Sequence, residues 1–415
     1  IHPRGRPVAG TVSVPGSKSL TNRALVAAAL ADPAASRLHA PLDAEDTAAM
    51  RRSLRSLGVL IDDNDDPWLV LGTGGRLEEP EEVVDVGASG TTARFITAVA
   101  SLARGRVVVD GIPRMRERPI GPLVEALEAL GVQIHSRQGY PPVEVHGTGR
   151  LAGGKVTVDA SLSSQFASAL LLVAPMAEGT VEIDLAPPVV SRPYLEGTVE
   201  TMRVFGARVT AEGDRFVVQP GGYRKAHVHI EPDASAAVYP AVAAALTGGR
   251  VEIPGIPPAS SQPDLAVLGV LEQMGCRVVR EESGILVEGP QEGLAPIDVD
   301  MGMAPDGAMA VAVAAGAAHG PSVIRGLSTL RLKETDRLAA LEAELGKIGV
   351  DARVEGDSLR IRPGPWHGAT IETYGDHRMA MALALVGLMV DGIVIDDPGV
   401  VSKTWPGYFE MLASL

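Results

Sequence analysis

At 415 residues the chain exceeds the size at which one hydrophobic core keeps growing, so two domains are expected. Its 37 Lys and Arg stand against 51 Asp and Glu, and the net charge of −14 disfavours non-specific binding to DNA or anionic membranes, so an anionic ligand must be met by locally gathered cations. Aromatic residues make up only 3%, too few for stacking on nucleic-acid bases, and the single cysteine, Cys276, rules out an internal disulfide or a cysteine-based zinc framework.

The first predicted strand ends near Val14 and leads into PGSKSLTNRALVAAALA, a polar cluster opening an Ala-rich helix. The same succession returns at Asp85 (DVGASGTTARFITAVASLA), Asp159 (DASLSSQFASALLLVAP), Glu231 (EPDASAAVYPAVAAALTGG), Asp300 (DMGMAPDGAMAVAVAAGAA) and Thr373 (TYGDHRMAMALALVGLMV). A second helix closes most units on a Leu-x-x-Leu-Gly-Val-like ending, at Gly58, Gly131, Gly206, Gly275 and Gly349. Leu123, Leu127 and Leu130 show the apolar spacing of such a helix. Short strands such as RVVVDG, TVEID, RVEIPG and IVIDDP end in the turn formers Gly, Asp or Pro. Both series recur about every 70 residues, the mark of a repeat architecture. Each unit reads strand, helix, strand, helix, strand, and six units suggest two domains of three, divided near Gly221–Val228. The opening IHPRGRPVAG carries no hydrophobic segment that would mark secretion, and even MAMALALVGLMV falls short of the ~18 apolar residues of a membrane span. A soluble, cytoplasmic protein is expected.

Chemistry gathers at the helix starts, because helix N-termini favour anions. Pro15-Gly16-Ser17-Lys18-Ser19, followed by Asn22 and Arg23, resembles a phosphate loop, but Ser17 stands where a nucleotide-binding loop needs Gly before its Lys. Taken alone it reads equally well as an N-cap, as do Ser163 and Ser164 before Gln165. Gly87 to Arg94 presents backbone N–H groups that glycine leaves open. Arg114, Arg116 and Arg118 crowd one turn with Glu117, and a solvated ion-paired turn is the plainer account. Lys333, Glu334 and Arg337 in KETDR read as a charged helix face. Asp306 stands at a helix start. Asp376-His377-Arg378 precedes an apolar run and needs pairing or exposure. Lys403 means little alone, and Cys276 reads as a small core residue. The nine histidines show no metal-ligand spacing, so neither metal nor cofactor is expected.

Taken together and in order, PGSKS with NRAL, GTTARF, RMRERPIG, SSQF, SRPY, KETDR, DHRMAM and KTWPGYF resemble the 5-enolpyruvylshikimate 3-phosphate synthases of the enolpyruvyl transferase family, from about residue 10 to the end. The resemblance implies an α/β (α+β) fold of two pseudo-threefold domains, each of three βαβαββ units, an inside-out α/β barrel. The domains would be 14–226, on the shikimate phosphate side, and 1–13 plus 227–415. It implies transfer of the enolpyruvyl group of phosphoenolpyruvate to the 5-hydroxyl of shikimate 3-phosphate, with release of phosphate, and competitive inhibition by glyphosate. Lys18, Ser19, Arg23, Ser163, Ser164, Gln165, Ser191, Tyr194, Asp306, Thr329 and Lys333 would then serve shikimate 3-phosphate. Lys18, Gly90, Arg118, Gln165, Arg337, His377, Arg378 and Lys403 would serve phosphoenolpyruvate. Lys18, Asp306 and Glu334 would be catalytic, the two carboxylates as a proton-transfer pair whose individual roles stay open. The only partners implied are these small molecules, with no nucleic acid and no membrane, and a monomer is expected.

The chain departs from many relatives in GTTARF, where Phe95 replaces Pro and Thr92-Ala93 replace Ala-Met, and in Thr329, where relatives often have Asn. The sister transferase that acts on UDP-N-acetylglucosamine usually carries a reactive Cys in the segment corresponding to Gly111–Arg118, which here has none. A silent anion-binding relative would have less reason to keep Lys18, Asp306, Glu334 and Arg378 together.

Overall fold

The computed structural model describes residues 1–3 and 5–415. Its described residues contain twelve α-helices alternating with short strands. The first six are α1 (Lys18–Leu30), α2 (Glu45–Ser56), α3 (Gly90–Ala100), α4 (Gly121–Ala129), α5 (Gln165–Val173) and α6 (Pro193–Val204). The others are α7 (Ala234–Thr247), α8 (Ala266–Gln273), α9 (Ala308–Gly316), α10 (Arg337–Lys347), α11 (His377–Ala384) and α12 (Tyr408–Ser414). The odd-numbered helices through α11 start at the polar clusters and are buried almost all round. Their Ala-rich sequences suit that place, since small side chains let helices pack closely.

Helices α2, α4, α6, α8 and α10 are amphipathic, and each is stopped by glycine in the same way. Gly58, Gly131, Gly206, Gly275 and Gly349 have φ between 83° and 99°, the left-handed region. In each case the glycine N–H reaches back to a helix carbonyl, as from Gly58 to Arg55. The next residue reaches one carbonyl further back, as from Val59 to Leu54. That next residue is buried, which is why the ending reads Gly-Val. Cys276 occupies this place after Gly275, so its role is that of a small apolar residue, and burial pushes its thiol pKa up to about 12.

The chain divides into two compact units, Gly16–Ile230 and Ile1–Pro15 with Glu231–Leu415. In the first, three four-stranded sheets share one order. They are 227–229, 35–39, 68–71 and 60–62; then 84–85, 104–110, 140–148 and 133–137; then 154–159, 181–186, 215–218 and 209–212. In each sheet the first two strands are parallel and the later pairings antiparallel. The second unit repeats the order twice, with 9–11, 250–254, 284–288 and 277–281, and with 298–300, 322–325, 358–362 and 351–355. Its third sheet is reduced to Thr370–Ile371 beside Val394–Ile395.

One exchange departs from the repeat as read along the sequence. The strand preceding PGSKS, Ala9–Thr11, pairs with Arg250–Pro254, whereas His227–His229, preceding EPDAS, pairs with Ala35–His39. The crossings therefore fall after Pro15 and Ile230, a few residues beyond the expected 13/14 and 226/227, because His227–His229 complete the first sheet of the first unit. Each unit has its own apolar core.

Candidate active site

Within Gly16–Ile230, Lys18 is the first residue of α1, and its Nζ lies 3.2 Å from Asp46 Oδ2 in the first turn of α2. Ser17 holds the N-cap position but its side chain makes no capping bond, so capping does not account for the serine of PGSKS. Ser19 offers its carbonyl to Arg23 Nη1 at 2.9 Å. The buried Arg23 also donates from Nε to Thr198 Oγ1 at 2.8 Å, and from Nη2 to Tyr194 O at 3.1 Å and Ser168 Oγ at 3.4 Å. Its guanidinium sits 5.4 Å from the Phe95 ring centroid. One side chain thus ties together α1, α3, α5 and α6, from all three repeats of the unit. Burial pulls the Arg23 pKa down to about 10, which leaves it protonated at neutral pH.

Gly90 opens α3, and Arg118 lies against it. A methyl group on Gly90 would stand 2.5 Å from Arg118 Nη2, too close for any real contact. The segment carrying Arg118 is held by Arg94, whose Nη2 donates to Pro119 O at 2.6 Å and whose Nη1 donates to Gly90 O at 3.2 Å. Arg114 and Arg116 instead pair with Glu117 at 2.7 Å and Asp110 at 2.6 Å, the surface pairs that the plainer account describes. Gln165 Nε2 donates to Thr91 Oγ1 at 3.2 Å, and Ser163 Oγ accepts from Gln165 N at 3.2 Å. Ser164 is buried at the N-cap of α5. Ser191 is buried with φ of 51°, a conformation that costs a non-glycine residue about 1 kcal/mol and tends to persist at ligand sites.

In the other unit the centre is Arg337, 1% exposed at the start of α10. Its Nε donates to Asp376 Oδ2 at 2.6 Å, Nη1 to Asp306 Oδ1 at 3.1 Å, and Nη2 to Glu334 Oε2 at 2.8 Å and Asp376 Oδ1 at 3.2 Å. Burial alone would lower the Arg337 pKa, but Asp376, Glu334 and Asp306 together raise it above its ordinary value. Asp306 lies in the turn Pro305–Gly307 and also meets Lys333 Nζ at 3.3 Å and Arg378 Nη2 at 3.2 Å. Glu334 Oε1 lies 3.8 Å from Lys403 Nζ. Asp376 caps α11 by accepting from Arg378 N at 2.8 Å, and His377 Nδ1 lies 3.6 Å from its Oδ1. Thr329 Oγ1 is buried with no hydrogen-bond partner among the described residues.

Asp306, Glu334, Lys333, Arg337, Arg378 and Lys403 are therefore joined in one network of ion pairs within this unit. Lys18, Arg23, Gly90, Arg118, Gln165, Ser163, Ser164, Ser191 and Tyr194 stand at the helix starts and helix–helix contacts of the other. Asp46 was not singled out from sequence, and Arg94 and Asp376 were named there without a role. Asp46 and Arg94 hold cations or loops distant in the chain, and spacing gives no sign of that. Asp376 had a signal, an acid at the N-cap of an apolar helix. Chemically, a pair of carboxylates sharing one guanidinium can exchange protons, and the cations around it are of the kind that grip phosphate or carboxylate.

Six repeats of one strand–helix plan in two units, with polar clusters at the starts of the buried helices, define the architecture of the enolpyruvyl transferases. The enolpyruvyl transferase NikO from Streptomyces tendae shares this fold, with a TM-score of 0.79 at 20% identity over 100% of this chain and 96% of that one. The EPSP synthase of Acinetobacter baumannii superposes with a TM-score of 0.83 at 26% identity, covering 100% of this chain and 97% of that one. A 3-phosphoshikimate 1-carboxyvinyltransferase from Methanoculleus marisnigri is 42% identical over 416 residues, 98% of this chain and 96% of its own. The family model of EPSP synthase (3-phosphoshikimate 1-carboxyvinyltransferase) matches residues 3–412, and the chain belongs to this family.

Proposed function

We propose that the chain transfers the enolpyruvyl group of phosphoenolpyruvate to the 5-hydroxyl of shikimate 3-phosphate, using Lys18, Asp306 and Glu334 as its catalytic groups. The observation that carries this reading is the pair Asp306 and Glu334, both bonded to one buried Arg337 and flanked by Lys333, Arg378 and Lys403. The hydroxyl oxygen adds to C2 of phosphoenolpyruvate while its methylene carbon takes a proton. The adduct then loses phosphate and gives a proton back from the new methyl group. The hydroxyl loses a proton that leaves with the phosphate, and the methylene gains a proton that the new methyl returns, work that calls for two groups in unequal surroundings. Asp306, with three cations against it, is assigned to accept the hydroxyl proton, and Glu334 to serve the methylene carbon.

Ser163, Ser164 and Ser191 are assigned to the shikimate phosphate, with Ser19, Arg23, Gln165, Tyr194, Thr329 and Lys333 around the ring. Lys18, Gly90, Arg118, Gln165, Arg337, His377, Arg378 and Lys403 are assigned to phosphoenolpyruvate. Arg forks and helix N–H groups suit such anions, and Lys18 stabilises charge that develops on oxygen. The same reading makes the protein a cytoplasmic monomer, with Gly16–Ile230 forming the shikimate phosphate side and the remainder the carboxylate side. A coupled phosphate-release assay with both substrates tests the reaction, and no phosphate release at saturating concentrations defeats it. The division of roles is tested in deuterated water. Glu334→Gln should suppress exchange of solvent deuterium into the methylene of phosphoenolpyruvate more than Asp306→Asn does.

A further inference from the structure

Beneath the carboxylate network lies a further acid that has no place in the reaction as assigned. Asp264, 2% exposed, sits in the turn Pro263–Leu265 just before α8. Its Oδ2 accepts from the hydroxyl of Ser235, one residue into α7. The turn is fastened to the start of α7 a second time, through Gln262, whose Oε1 accepts from Ala234 N at 3.0 Å and whose Nε2 donates to Pro232 O at 2.9 Å. The other oxygen, Oδ1, faces the turn that carries Asp306: a methyl group on Gly307 would stand 3.5 Å from it. Arg378 interacts electrostatically with Asp264, contacts Asp306 and shares a side-chain hydrogen bond with the buried Tyr239 of α7.

We infer that Asp264, anchored by Ser235, is a positioning residue that fixes the Arg378 guanidinium and the Asp306 turn for the grip on phosphoenolpyruvate. A buried carboxylate beside a buried guanidinium limits where that guanidinium can point, which matters for a side chain assigned to bind an anion in two-point fashion. Asp264 also adds negative charge beside Asp306. Burial pushes the Asp264 pKa above the usual carboxylate value, Arg378 opposes that rise, and Asp306 and Asp233 reinforce it. The two carboxylates thus disfavour each other's ionisation, while Lys333, Arg337 and Arg378 face Asp306 from the other elements packed against it.

This rests on the reaction proposed above, and the test separates the two. Steady-state kinetics with shikimate 3-phosphate and phosphoenolpyruvate, across pH, compare the parental protein with Asp264→Asn, Ser235→Ala and Ser235→Thr. Asp264→Asn should lower kcat/KM for phosphoenolpyruvate between about tenfold and a hundredfold, with KM for shikimate 3-phosphate little changed. The acid limb of its pH profile should move to lower pH, because a like charge is removed from beside the carboxylate network. Ser235→Ala should show the same loss in smaller measure, and Ser235→Thr, which keeps the hydroxyl, should retain parental kcat/KM. If Asp264→Asn does not fold, the two Ser235 variants decide the matter. An active parental protein whose folded Asp264→Asn and Ser235→Ala variants match it in kcat/KM and acid limb overturns the inference. So does an equal loss toward both substrates with an unmoved limb, which marks a merely structural role. An inactive parental protein overturns the proposed reaction itself, and the inference with it.

Discussion

Lys18 and Gly90 show how single side chains carry the proposed chemistry. Lys18 lies at a helix N-terminus against Asp46, so its ammonium is held in place before any substrate arrives. Lys18→Ala is expected to fold normally and to lose turnover by ~100-fold or more, the usual scale for a group that stabilises developing charge. Near-parental kcat in a folded Lys18→Ala protein would remove Lys18 from the catalytic set. Gly90 makes the second case. Because a methyl there would overlap Arg118, Gly90→Ala must displace that guanidinium. Inhibition by glyphosate should weaken more than phosphoenolpyruvate binding does, since the inhibitor is the longer molecule. An unchanged inhibition constant would show that Gly90 and Arg118 stand away from the anion. The residues with a recognisable motif around them, such as Lys18, Glu334 and Arg378, were legible in the sequence. Asp46, Arg94 and Asp264 were not. Their work is to hold residues distant in the chain, and only packing brings those partners within reach.

At the scale of elements, the five glycine-terminated helices were the most legible feature, because the Gly-Val ending has a local cause. The glycine takes a left-handed backbone conformation, and the residue after it is buried and bonded back into the helix. Two of these glycines give a graded test. Around Gly131 an added methyl meets nothing within 4 Å, so Gly131→Ala should cost only about 1 kcal/mol of conformational strain. At Gly349 the methyl would lie 2.4 Å from the carbonyl oxygen of Pro365, so Gly349→Ala should cost clearly more, ~2 kcal/mol or above. Equilibrium urea denaturation of both variants checks the order, and equal losses would refute it. The pairing of Ala9–Thr11 with Arg250–Pro254 was not legible. A three-residue strand of Ala, Gly and Thr has too little pattern to choose its neighbour, and the choice is made by the sheet that receives it.

At the scale of the molecule, the residues assigned to catalysis are divided, with Lys18 in one unit and Asp306 and Glu334 in the other. If one chain supplies them all, as a monomer must, then mixing inactive Lys18→Ala and Glu334→Gln proteins should restore nothing. Activity appearing on mixing would show that chains share their units and would overturn the monomer assignment. The exchanged strands also set an order of events during synthesis. Gly16–Ile230 is one unbroken stretch and leaves the ribosome whole, whereas Ala9–Thr11 is made early and its partner Arg250 onward much later. At about 5–20 residues per second, that wait is roughly 10–50 s. Throughout it the segment is an unclaimed β edge on a nascent chain, the kind of feature that recruits neighbouring polypeptides. Being three residues long, with no large apolar side chain and every residue exposed even in the finished fold, it offers such neighbours very little to hold. A longer or greasier strand at this place would make the newborn protein sticky for most of its translation.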